Sequence, residues 1–170
     1  MNNPAFLKEL QEIAKIQKKC MDNHCKKEAD ALQKLMKDVQ NKINDISKKV
    51  QTGMVSVQTG KMNQKDYINM IQKEIKNGFK EIYSFMHSKE VYASTECTIK
   101  MCNVEFRKAL LAIANFLEIL CKQSANSPFK FVCEAEKEIK KLEKQETITT
   151  DAYIKILINM AKKAEKIMVR

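Results

Sequence analysis

The stretch from Cys25 to Val50 constrains the fold more than any other part of the chain. Cys25, Ala29, Leu32, Met36, Val39, Ile43, Ile46 and Val50 recur at alternating steps of four and three. Such steps place all eight side chains along one narrow edge of a helix. In heptad terms Ala29, Met36, Ile43 and Val50 take the a positions, and Cys25, Leu32, Val39 and Ile46 the d positions. An edge of this kind needs cover from another helix, of the same chain or of a partner.

No Gly or Pro follows Pro4 before residue 50, so residues 5–50 read as one long N-terminal helix or two nearly continuous ones. The register does not run through. Upstream, Phe6, Leu10, Ile13, Gln17 and Cys20 keep a similar spacing, but carrying the downstream phase backward puts Lys18 and Asp22 on the apolar edge. The phase change at "CMDNHC" predicts a stutter, a bend or a change of packing partner between Cys20 and Cys25.

Three Gly and two Pro in 170 residues fall far below the usual roughly 7% and 5%. Tight turns and bulges are therefore scarce, which excludes a strand-rich fold. The segment "VQTGMVSVQTGKMNQKD" breaks the helical rhythm and repeats Val-Gln-Thr-Gly, with Gly53 expected to close the first helix at positive φ. Asn63 is an N-cap for a helix over about 64–89, which carries Tyr67, Ile71, Ile75, Phe79, Ile82 and Met86 on one face. A third helix is expected to begin at 94–96 and run to about 123. Its part from Val104 to Leu120 is apolar around much of its circumference, which predicts a central position. Ser127-Pro128 opens a fourth helix, and Thr149 or Thr150 caps a last one. The expected architecture is all-α: an elongated bundle of four or five helices with a long coiled-coil-like N-terminal helix. Residues 1–170 form a single helical domain in which 5–50 is the long helix, 51–62 a linker and 63–170 the bundle core.

The 31 basic and 21 acidic residues give a formal charge of +10, and 29 of the basic residues are Lys. The excess is spread along the chain, 11 basic and 7 acidic in residues 1–50 against 13 and 9 in 101–170, so a solvated helix surface accounts for it. The longest apolar run, "ALLAIANFLEILC", is shorter than the roughly 20 residues of a spanning helix and contains Glu118. With no apolar leader at the start, an intracellular setting, cytoplasmic by default, is expected.

Cys20/Cys25 and Cys97/Cys102 share a spacing of four intervening residues, and Cys121 and Cys133 flank the fourth helix's start. Residues five apart on an unbroken helix lie about 140° out of phase, so neither pair converges unless the helix breaks. Buried free thiols acting as small hydrophobes are the expectation, with disulfides and a metal site as alternatives. Cys20 and His24 share a helix face, yet no orienting group or oxyanion donor accompanies them. Gly60-Lys61-Met62 lacks the spacing and hydroxyl of a phosphate-binding loop. The carboxylates at Glu134, Glu136, Glu138, Glu143 and Glu146 are interleaved with Lys and read as solvated charge. Neither a catalytic residue, a cofactor nor a metal ligand is expected.

A helical scaffold that associates with another protein, or with itself, through the Cys25–Val50 edge is the leading expectation. Non-specific nucleic-acid association is the alternative, through Lys34, Lys37, Lys48 and Lys49 with Lys137, Lys140, Lys141 and Lys144. Only Arg107 and Arg170 offer bidentate contacts, and no aromatic residues interleave a basic groove. Peripheral membrane association is a third reading, disfavoured because the edge is narrow.

Overall fold

A computed structural model describes residues 4–169 and places them in seven α-helices, with no strand among the described residues. These are α1 (Pro4–His24), α2 (Lys26–Gln58), α3 (Gln64–Met86), α4 (Lys89–Met101), α5 (Asn103–Gln123), α6 (Phe131–Lys144) and α7 (Thr150–Met168), with a 3-10 turn at Pro128–Lys130. The all-α expectation holds; the count and the long first helix do not. The N-terminal helix is broken at Cys25, where the sequence phase changes, and the expected third helix is broken at Cys102 after starting earlier, at Lys89. At neither point is there a Gly or Pro, which is why periodicity alone joins the pieces.

The capping residues read from the sequence do their work. Asn63 Oδ1 accepts from the Asp66 amide at 2.8 Å, Ser127 Oγ from Phe129 at 3.1 Å and Thr149 Oγ1 from Ala152 at 3.2 Å. Ser88 adds a fourth cap, accepting from the Val91 amide at 3.2 Å and opening α4. The expected linker over 51–62 is mostly helix, because α2 runs on to Gln58. Gly53 lies inside α2, buried under α3: a Cβ there would sit 2.5 Å from Met70 Cε and 3.0 Å from the Tyr67 ring. The close approach of the two helices, not a turn, selects this glycine. Gly60 makes the turn instead, at φ 73.

The main core joins α5, α6 and α7, where Leu110, Ala114, Ile139 and Leu142 are almost wholly enclosed. Phe106 meets Tyr153 edge to face at 5.2 Å between centroids. A second cluster packs Val91 of α4 and Ile154 and Ile158 of α7 against Leu32 of α2 and Phe85 of α3. Helix α5 is less central than its composition predicts: α1 and α6 cover two sides, while Val104 and Leu111 face outward. Among the described residues no helix is long and apolar enough to cross a membrane.

Candidate interaction site at the helix elbow

The two breaks are built alike. At Cys25 the amide donates to Met21 O at 2.6 Å and the carbonyl accepts from Ala29 at 2.8 Å; at Cys102 the equivalent bonds, to Thr98 and from Phe106, are both 2.8 Å. Helical hydrogen bonds thus reach and leave each residue. The residue at each break departs from helical dihedrals, with φ −133 and ψ 29 at Cys25 and φ −128 and ψ 41 at Cys102.

The breaks let the cysteines converge. Cys20 is bonded to Cys102 and Cys25 to Cys97, while Cys121 and Cys133 join the end of α5 to the start of α6. Each of the first two bridges links a cysteine inside a helix to a cysteine at the opposing break. The arrangement is nearly symmetric: the Cys97 sulfur lies 3.7 Å from the His24 carbonyl and the Cys20 sulfur 3.8 Å from the Met101 carbonyl. The two broken rods pair accordingly, α1 along α5 and α2 along α4.

The expectation of free thiols is therefore corrected: among the described residues no cysteine is free. The 140° separation that argued against convergence holds only for an unbroken helix, and the equal spacing of the two pairs was the sequence signal for their mutual bonding. Donor atoms of Cys20, Cys102 and Glu105 lie within 4.8 Å of one another, but with both sulfurs joined in a cystine the carboxylate is the one anionic donor of that set. The pairing of Cys20 with His24 likewise offers no thiolate in this state.

Of the eight edge residues, Cys25 is enclosed and Ala29, Leu32, Val39, Ile43, Ile46 and Val50 are half-buried. Ile43 and Ile46 lie against α3 at Gly78, and the Tyr67 hydroxyl donates to Val50 O at 3.3 Å. Met36 stays 53% exposed. It stands at one end of an open groove of about 410 Å³ inside the elbow, where Ala14 and Met21 of α1 face Ala29 and Leu32 of α2. Lys18, Asp22 and Asp30 supply a mixed-charge rim.

Charge is distributed less evenly than the sequence counts suggest. On the α5–α6–α7 side Lys140 contacts Glu136 at 2.5 Å and Glu118 at 3.4 Å, and Lys163 pairs with Glu134. Hydrogen bonds from Lys122 hold the Glu118 carboxyl below its ordinary range, and Lys163 does the same for Glu134. On α3 the exposed Lys65, Lys73, Lys76 and Lys80 follow helical spacing, and none of the four makes an ion pair among the described residues. Sequence reasoning missed this row; reading α3 for its outer face would have found it. Lys140 is neutralised and Lys49 lies 3.8 Å from Glu74, so the basic sets named from the sequence are partly spent. Glu74, buried between α2 and α3, leaves Oε2 without a hydrogen-bond partner among the described residues.

No protein-family model, curated protein or solved structure matches this chain.

Proposed function

We propose that this chain is a helical scaffold without catalytic activity, and that it associates with an amphipathic helix of another protein chain, its own copies included, in the groove of the α1–α2 elbow. The observation that carries this reading is the open apolar lining around Met36, the part of the heptad edge that α3 leaves uncovered. Each methylene a partner buries there contributes roughly 0.8 kcal/mol. Two helices meeting at a bend form a concave seat suited to a third helix, whose apolar residues at i, i+3 and i+4 would meet the lining. Three cystines favour an oxidising compartment as the place of action, in contrast to the reducing default expected from sequence.

The test is sedimentation velocity of the oxidised chain over a wide concentration range, alone and with its natural partners recovered by gentle purification. Ala14→Glu and Met36→Glu, both at exposed positions of the groove, should abolish the heavier species while leaving the helical circular dichroism intact. A species of unchanged mass in the variants would rule out the groove.

The unpaired lysine row on α3 supports a second reading, non-specific contact with a phosphate backbone. From Lys65 to Lys80 the row spans about 22 Å along the helix. Four contacts predict a slope of about −3.6 for log K against log salt on duplex DNA. Lys→Gln at the four positions should remove binding; absence of wild-type binding at low salt would reject the reading.

A further inference from the structure

We propose that the facing Cys-x4-Cys segments are an oxidation site whose two cystines set the angle of the α1–α2 elbow, so that the groove between Ala14 and Met36 belongs to the oxidised chain. Three observations carry this. The first is that no helix-breaking residue accounts for the bend. Residues 20–29 and 97–106 contain no Gly or Pro, and helical hydrogen bonds reach and leave the single broken residue in each. The second is that both broken residues are cystine halves, each held by a cysteine lying within the opposite helix. Two side chains about 140° apart on a straight helix cannot both reach a facing pair; one break in each helix turns them toward it.

The third is the reach of the groove. Ala14 and Met36 line the same groove of about 410 Å³. On an unbroken helix their separation of 22 positions would hold them about 33 Å apart, too far to share it. Bend and groove are one feature, and oxidation at the four cysteines controls it.

The chemistry requires a disulfide donor. A thiolate of one cysteine attacks a donor disulfide, forms a mixed disulfide and releases one donor thiol. The partner cysteine's thiolate then displaces the second donor thiol, so each bridge takes two electrons and two protons from the chain and leaves two reduced donor thiols. Two donor disulfides complete the site. This inference rests on the elbow and does not require that the groove receives a helix.

The test places spin labels, attached through ketone-bearing unnatural amino acids, at positions 14 and 36 of the full chain, and measures their separation by double electron–electron resonance. The oxidised chain should give a short, narrow distribution. Dithiothreitol should lengthen it toward about 33 Å, with helical circular dichroism retained, and reoxidation by glutathione disulfide should restore the short distance. A variant carrying Cys→Ala at positions 20, 25, 97 and 102, with Cys121–Cys133 intact, should show the long distance in either state. The proposal is overturned by a reduced, helical chain that keeps the short distance, by a quadruple variant that remains bent, or by loss of helix on reduction, which would make the bridges supports of the whole fold.

Discussion

The two bridges at the elbow are nested, and nesting makes a quantitative prediction about their removal. Cys20–Cys102 spans a sequence separation of 82 and Cys25–Cys97 one of 72. Either bridge alone closes a long loop, and the chain-entropy relation gives about 4.5 kcal/mol for it at 25 °C. Once one exists, the other closes only the ring formed by residues 20–25 and 97–102, about 12 residues and about 3 kcal/mol. Removing either bridge therefore leaves the other doing the long-range work. Cys25→Ala/Cys97→Ala and Cys20→Ala/Cys102→Ala should each lower stability by about 3 kcal/mol, while the quadruple variant should lose about 7, more than the sum of the two. A chain of this length with roughly 0.05–0.15 kcal/mol per residue keeps its fold through that loss at all but the low end of the range. Urea unfolding followed by circular dichroism measures it, and the m-value should rise as each crosslink leaves the denatured chain more extended. Losses of about 4.5 kcal/mol for each pair, adding simply in the quadruple variant, would refute the nested arrangement.

Three further outcomes follow from the packing and the charges. Leu110 is 1% exposed and its neighbour Leu111 45%, so Leu110→Ala should cost about 3 kcal/mol and Leu111→Ala well under 1 by urea unfolding; equal losses would mean that α5 faces the wrong way. Burial and the Glu165 carboxylate, which accepts from the Tyr83 hydroxyl at 2.5 Å, push Tyr83 up to about 12 from the ordinary 10.0. The folded chain keeps a proton that the unfolded chain loses, so this contribution is whole below pH 10 and disappears as pH rises toward 12. Stability measured at several pH values should fall less steeply over that window in Tyr83→Phe, and identical slopes would contradict the assignment. Arg107 donates from Nε to Asn103 at 2.8 Å, from Nη2 to Glu146 O at 3.0 Å and from Nη1 to Glu143 O, closing the end of α6. Arg107→Lys should lose about 1.5–3 kcal/mol in the same unfolding assay, because an ammonium cannot serve three acceptors in a fixed plane.

Much of the architecture was legible in local chemistry. Asn63, Ser127 and Thr149 announced their helices because a cap is decided within four residues. The shift of phase before Cys25 announced a junction for the same reason. What periodicity could not reveal were partners lying 72 to 82 residues away: Cys25 is bonded to Cys97 and Cys102 to Cys20, and the helical rhythm beside either break does not name its partner. Gly53 shows the converse error. Its turn-forming chemistry was real, but burial against Met70 and Tyr67 gave it another use. The Cys25–Val50 edge predicted a partner helix; α3 and the second core cluster take most of it, and Met36 with the elbow groove is the remainder.

The cystine pattern beneath the elbow can be read directly by alkylating the native chain without reductant, digesting it and identifying the linked peptides by mass spectrometry. The linked peptides should pair Cys20 with Cys102, Cys25 with Cys97 and Cys121 with Cys133, with no alkylated cysteine. Alkylated thiols at Cys25 and Cys102, or a bond between Cys20 and Cys25, would contradict it.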